Sequence, residues 1–178
     1  MMVAPVTPST TSALTASSTI LLHLDHMNDV KGYCGLLCEW SKQLNLSGAL
    51  FVPRDERHRA LTDTKRRPRH VLAVLDCSSP DAGKEFLRRL RTQNVDVTVR
   101  GVPCKEKMSA VVAELTTSAS TSGAKGLELI QLDGSAGPQA HMPVVRDWLR
   151  TARPGDADDI IARFDEHLDA TTKPGKRR

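Results

Sequence analysis

The stretch HVLAVLDCSSPDA, residues 70–82, carries the clearest structural pattern in the chain. Its first eight residues form an apolar run of the length and composition that predict a buried β-strand. Ser79, Pro80 and Asp81 then combine a capping residue, a proline suited to the first helical position and an acid near the positive end of the helix dipole. The stretch therefore predicts a strand followed directly by a helix.

Two strands and a helix are predicted before this unit. Residues 19–24, TILLHL, form a short apolar run typical of a buried strand, and residues 49–52 predict a second strand. The segment between them predicts a helix, because its apolar side chains recur at helical spacing. They are Val30, Tyr33, Cys34, Leu37, Ser41 and Leu44.

The pattern after residue 82 completes a familiar order of elements. Ala82, Phe86, Leu87 and Leu90 give the second helix a buried face, and residues 95–100 alternate apolar and polar as a half-buried strand does. The order β-α-β-β-α-β predicts an α+β, ferredoxin-like fold. In that fold one four-stranded antiparallel sheet carries both helices on one face.

A smaller α-rich part is predicted beyond this domain. Met108, Val111, Val112 and Leu115 have helical spacing, and residues 127–132 predict a further strand. Two helices follow, separated by Pro154 and Gly155. We expect a disordered leader (1–18), the ferredoxin-like domain (19–115), a flexible linker (116–125), a strand and two-helix extension packed on the domain (126–169) and a basic tail (170–178).

Positive charge is concentrated in two segments. The chain has a net charge of +4, and residues 53–69 and 170–178 each carry +4, so the remainder carries −4. One hypothesis for the basic loop at residues 53–69 is RNA binding through phosphate contacts. The alternative is a solvated loop without a partner, because acidic residues are interleaved with the basic ones. The candidate nucleic-acid-binding residues are Arg54, Arg57, Arg59, Lys65, Arg66, Arg67, Arg69, Lys173, Lys176, Arg177 and Arg178.

Catalytic and metal chemistry receive little support. A zinc site of His23, His26, Cys34 and Cys38, or a Cys34–His26–Asp25 nucleophile system, would need converging side chains. Both thiols instead lie on the apolar stripe of the first predicted helix, which indicates core packing. No phosphate-binding glycine motif is present. We therefore expect no enzyme activity, no cofactor, no metal and no small-molecule substrate.

Two tryptophans are candidate protein contacts. Trp40 lies beside the first helix stripe and Trp148 lies on a predicted C-terminal helix, and tryptophan is enriched among interface anchors. Packing of Trp40 against the C-terminal part is the alternative. No segment has the apolar length of a membrane span or the form of a secretory signal. We expect a location in the cytoplasm or nucleus, with an organelle not excluded.

Two blocks resemble a known family. The string ILLHLDHMNDVKGYCGLLCEWSKQLNLSGALFV and the later VDVTVRGVPCKEKMSAVVAEL, with LDHM at 24–27 and CKEKM at 104–108, resemble the domain that follows the RWD domain in RWD domain-containing proteins 2 and 3. The C-terminal domain of the spliceosomal precursor-RNA-processing protein 3 belongs to the same domain family. The resemblance implies a ferredoxin-like fold and no catalytic residues. We expect no RWD domain here, because residues 1–18 are too few.

These observations favour one functional class. We expect a non-catalytic macromolecular interaction module that binds protein within a larger intracellular complex. The alternative is an RNA-binding component of the spliceosome or another ribonucleoprotein, as the resemblance to the spliceosomal protein implies.

Overall fold

The computed structural model describes residues 17–25, 27–53, 70–98, 100–106, 109–117, 126–132 and 138–172. Seven strands and four helices lie in this part of the chain. In chain order they are β1 (Ser17–Leu24), α1 (Val30–Gln43), β2 (Leu46–Pro53), β3 (Val71–Cys77), α2 (Pro80–Thr92), β4 (Asn94–Val97), β5 (Pro103–Lys105), β6 (Ser109–Thr117), β7 (Gly126–Leu132), α3 (Pro138–Ala152) and α4 (Ala157–Thr172).

The main sheet has five strands in the order β6-β1-β3-β2-β7. β7 runs parallel to β2, whereas the other three neighbouring pairs are antiparallel. The sheet is therefore mixed, and the prediction of a purely antiparallel sheet of four strands is wrong. Helix α2 begins where the sequence predicts. Ser79 caps it, because its hydroxyl accepts a hydrogen bond from the Ala82 amide at 3.2 Å.

The predicted strand at residues 95–100 does not join the main sheet. Asn94–Val97 pairs with Pro103–Lys105 in a separate two-stranded sheet. The Asp96 carboxylate accepts hydrogen bonds from the backbone amides of Asn28 and Asp29 at 2.9–3.1 Å. This hairpin is thus held at the N-terminus of α1, where the carboxylate binds the amides of the N-cap residue Asp29 and of Asn28 before it, close to the positive end of the helix dipole.

The predicted third helix at residues 108–115 is instead strand β6 (Ser109–Thr117), which occupies the sheet edge beside β1. The register shifts between Leu21 and Leu22, so that Val112 has no partner on β1. A bulge of this kind reproduces helical spacing over a few residues, because apolar side chains on both sides of it appear three and four apart. β-branched valines and the pairing with β1 favour the strand.

Helices cover both faces of the sheet, which corrects the prediction that they lie on one face. α1 and α2 pack on one face against side chains that include Leu22, Leu50 and Leu75. α3 and α4 pack on the opposite face against Leu21, Phe51 and other β-strand side chains. Strands that are apolar on both sides require this second layer, because one open face would expose their side chains to water.

None of the helices in the described residues is long and apolar enough to cross a membrane.

Candidate functional site

An exposed apolar surface lies along strand β7, and we call it the β7 edge (Leu129, Val144 and Trp148). β7 is the last strand in the sheet order. Leu129 is 51% exposed and Val144 is 45% exposed, and the one other large exposed hydrophobic side chain among the described residues is Val102. Leu129 lies on β7 itself, whereas Val144 lies on α3, the helix whose Trp148 contacts β7.

The register places the β7 edge on both faces of the sheet. Leu129 pairs with Leu50, whose side chain faces α1 and α2, and Glu128 pairs with Ala49, which faces α3 and α4. Side chains on paired residues share a face. Leu129 thus borders the α1 side of the strand, and Glu128 borders the α3 side.

Trp148 joins α3 to β7. Its indole N–H donates to Glu128 Oε2 at 3.1 Å, and its ring packs edge-on against Phe51 with centroids 5.6 Å apart. Val144 lies one helical turn before Trp148 and therefore on the same side of α3. The Trp148 side chain is half-buried, so this predicted contact residue lies at the surface beside the strand.

The backbone of β7 provides the chemistry of this surface. A strand at the end of a sheet presents amides and carbonyls that an added strand can pair with. Proteins commonly protect such edges with proline or with charged side chains, lysine above all; β7, GLELIQL, has no proline or lysine, and its one charged side chain is Glu128. Backbone pairing with flanking apolar contacts is the arrangement by which folded domains bind extended peptides.

A separate, polar site lies at one end of β1 and β3. We call it the histidine chain (His23, His70 and His167, with Asp25). His23 Nδ1 is 3.0 Å from His167 Nε2, and His23 Nε2 is 3.0 Å from His70 Nδ1. His70 Nδ1 is also 3.1 Å from Asp25 Oδ1. His167 belongs to α4, so the chain connects that helix to the sheet.

Burial favours the neutral forms of His23 and His167. Desolvation, followed by the nearby His70 and His167 rings, lowers the pKa of His23 to about 4. Burial also lowers the pKa of His167. The neighbouring Asp25 carboxylate acts on His23 in the opposite direction but is the weakest of these influences.

The geometry of the histidine chain is unsuited to a single metal ion. The two nitrogens of His23 point to different neighbours, so one ion cannot take both His70 and His167 together with His23. In the described ranges no group of three or more histidine, cysteine or acidic side chains has an arrangement that would hold a metal.

The cysteines, for which the sequence analysis favours core packing over a zinc or nucleophile site, lie in or against the core on the α1 side of the sheet, whereas the histidine chain lies on the α4 side. Cys34 is buried in the core, and burial raises its pKa to about 12, while Cys38 is half-buried and its pKa is also raised by burial. Asp25 contacts His70, and His26 lies outside the described residues. A protonated thiol packed in a core is a poor nucleophile.

The structure corrects the position of Trp40. Its side chain is 3% exposed and packs edge-on against Phe86 of α2, with ring centroids 6.0 Å apart. Trp40 therefore stabilises the α1–α2 layer and is not a surface contact in this fold. The physical reason is that α2 packs beside α1 on the same sheet face and covers the indole.

The predicted nucleic-acid-binding residues all lie outside the described part of the chain. The structure adds one observation on RNA binding: α3 and α4 cover the sheet face that ferredoxin-like RNA-binding domains leave open for stacked bases.

Comparison with known proteins finds two related chains. The chain is similar to RWD domain-containing protein 3 of Homo sapiens, 31% identical over 94 residues, which are 53% of this chain and 30% of that protein. It is equally similar to RWD domain-containing protein 3 of Rattus norvegicus, 31% identical over 111 residues, or 58% and 36%. The chain thus spans about a third of the length of these relatives.

No protein-family model matches the chain. Among solved structures, BlrP1 BLUF is similar with a TM-score of 0.50 and 10% identity, over 91% of this chain and 93% of that one. At this identity the likeness concerns the fold alone, which is α+β and of the ferredoxin-like kind.

Proposed function

We propose that this chain is a non-catalytic protein-interaction module that binds an extended segment of a partner protein along strand β7, as part of a larger complex. The similarity to RWD domain-containing protein 3 supports the general class. The observation that carries the specific site is the exposed Leu129 side chain on an edge strand.

The β7 edge indicates the chemistry of the partner segment. A strand added beside β7 places its side chains alternately on the two sheet faces. One side chain would lie next to Leu129 and would be apolar, and its neighbour would lie next to the exposed Glu128 carboxylate and would be basic. The expected partner is therefore a short extended segment that alternates apolar and basic residues.

Affinity purification from a native extract, with and without nuclease, tests the proposal when it is combined with two matched variants. Leu129→Lys places a charge on the β7 edge, and Val102→Lys places the same charge on the exposed residue beside the β5 strand. We expect a stoichiometric protein partner that resists nuclease, is weakened about tenfold or more by Leu129→Lys and is unaffected by Val102→Lys.

Three results would contradict the proposal. Loss of the partner on nuclease treatment would assign binding to RNA. Equal binding by wild type and Leu129→Lys would remove the β7 edge as the site. Sedimentation showing a dimer of this chain that Leu129→Lys dissociates would assign the edge to self-association.

A further inference from the structure

We propose that the histidine chain is an acid-sensitive latch: a proton added to His167 separates it from His23 and releases the C-terminal part of α4 from the sheet. The inference is independent of the binding function proposed for the β7 edge. It rests on three imidazoles from separate parts of the chain meeting at 3.0 Å on the sheet face that α3 and α4 cover.

Asp25 sets the positions of the ring protons. A carboxylate oxygen 3.1 Å from His70 Nδ1 favours the tautomer with a proton on that nitrogen, because a nitrogen lone pair would repel the negative oxygen, while the proton itself points along the contact to His23 Nε2. His23 Nε2 also faces His70 Nδ1 and must therefore be the acceptor. Neutral His23 then carries its proton on Nδ1 and donates it to His167 Nε2.

With the ring protons in this order, protonation of His167 breaks the contact between the histidine chain and α4. Protonated His167 carries a proton on Nε2, which faces the N–H of His23 Nδ1 at 3.0 Å. Moving the His23 proton to Nε2 would relieve this contact but would create a second one with the proton on His70 Nδ1, which the Asp25 carboxylate 3.1 Å away favours. The contact that can open is the one to α4.

The other charged groups around the latch leave this logic unchanged. On β6, the residues paired with His23 and Leu24 are Ala110 and Ser109, which do not titrate, and Leu72 lies opposite on β3. On α4, Glu166 and Asp169 are exposed, and Asp165 is held by Arg146 of α3 at 2.8 Å. α3 also contributes the buried His141.

Release is expected to be local. Leu168 follows His167 directly and is 1% exposed, and its carbonyl accepts from Gln139 Nε2 at 3.3 Å. The start of α4 is held separately, because Asp156 at its N-terminal turn is ion-paired with the buried Arg153 at 2.5 Å. Opening the latch would expose Leu168 while the first turn of α4 stays attached.

Imidazole and amide NMR of the full chain, titrated from about pH 7.5 to pH 5, the range in which histidine protonates, tests the latch. In wild type we expect His167 to carry its proton on Nδ1 at the upper pH. We also expect the amides of residues 164–172 to shift together with His167 protonation. In His167→Gln the side-chain oxygen still accepts from His23 and cannot be protonated, so these amides should stay unchanged throughout.

Asp25→Ala tests whether the ring protons of the histidine chain have a fixed order along its contacts. Without the carboxylate, the ring protons can reverse and His23 Nδ1 can accept from protonated His167, so the pKa of His167 should rise. Simple loss of a nearby negative charge predicts the opposite sign. A fall in the pKa of His167 in Asp25→Ala, an Nε2-protonated His167 at neutral pH, or an unaltered amide titration in His167→Gln would overturn the proposal.

Discussion

The layer formed by α3 and α4 is attached to the sheet by two polar clusters, one at each end of the paired strands β1 and β3. At one end, Thr19 lies opposite Asp76, and both contact Arg153 from the turn between the helices. At the other end lies the histidine chain. Thr19 and His23 lie four positions apart on β1, or about 13 Å, with apolar side chains between them.

The Arg153 cluster is built from permanent charge. The guanidinium is 4% exposed and bonds to Asp76, to the Thr19 hydroxyl at 2.9 Å and to Asp156 at 3.0 Å. Arginine stays protonated at every accessible pH. Burial raises the pKa of Asp76, and the nearby Arg153 counteracts that rise. This end of the layer therefore depends on matched charges.

At the histidine chain, the contact between the sheet and α4 is made by imidazole rings, His23 and His167, and the carboxylate of Asp25 lies beside His70. His23 occupies the position on β1 that corresponds to Thr19, on the same sheet face, but its partners are imidazoles without a fixed charge. We therefore expect acid to act on the two ends differently. Mild acid leaves the Arg153 guanidinium charged, whereas it adds positive charge to His23 and His167, whose neutral forms burial favours.

Arg153→Met should have the largest effect on stability. It leaves the Asp76 carboxylate buried without its cation, and breaking one side of a buried pair costs about 3–5 kcal/mol. The free energy of unfolding by urea measures this loss. Arg150→Met is the matched control, because Arg150 is 61% exposed and its pair with Asp158 spans 4.0 Å, so about 0.5 kcal/mol or less is expected.

Adding Asp76→Asn to Arg153→Met should restore part of the stability, since the buried charge is then removed as well. A loss in Arg153→Met no greater than that in Arg150→Met would contradict the assignment of Arg153 as the charged attachment point.

His23→Leu should remove most of the acid sensitivity. Because the pKa of His23 falls from 6.5 unfolded to about 4 folded, the unfolded chain binds the proton first as pH drops. Stability is therefore complete above about pH 6.5 and declines as pH falls toward 4, by roughly 3 kcal/mol in total. Urea unfolding at several pH values measures the slope.

The control for His23→Leu is Ser41→Ala, which removes a buried hydroxyl on the opposite layer. It should lower stability equally at every pH in this window and leave the slope unchanged. A wild-type protein whose stability does not change between about pH 6.5 and pH 4 would exclude the buried neutral state of His23.

Arg146→Ala should have the smallest effect. Arg146 joins Asp165 across the two helices, near the latch, but the side chains are 36% and 40% exposed. Exposed pairs contribute about 0–1 kcal/mol and weaken in salt. Thermal unfolding in low and high salt checks this. A larger loss, comparable to that in Arg153→Met, would show that burial does not separate the two kinds of attachment.

Local patterns predicted the central elements well. The apolar run at residues 71–77 is strand β3, and Ser79 caps α2 as its position before Pro80 indicated. The stripe that includes Tyr33 and Leu37 is the buried side of α1. These features depend on neighbours a few residues apart, which sequence periodicity records directly.

Features that depend on distant partners were not predictable in the same way. The sequence predicts a helix where β6 lies, because the bulge at Val112 imitates helical spacing, and only the pairing with β1 shows that the segment is a strand. His23 lies 47 positions from His70 and 144 positions from His167 in the sequence, so the three residues form no short motif. The sequence held one signal of this cluster. Strand alternation places His23 and Asp25 on the same sheet face as Leu21, which is the face that α1 does not cover.

Hydrogen exchange along α4 is the most direct test, with its two ends compared at about pH 7 and pH 5, the range in which histidine protonates. We expect protection factors at residues 164–172 to fall about tenfold in acid, while those at residues 157–161, next to the Arg153 cluster, remain unchanged. Equal loss at both ends, or no loss at either, would contradict the claim that one end of this layer is held by charge and the other by a proton-sensitive chain.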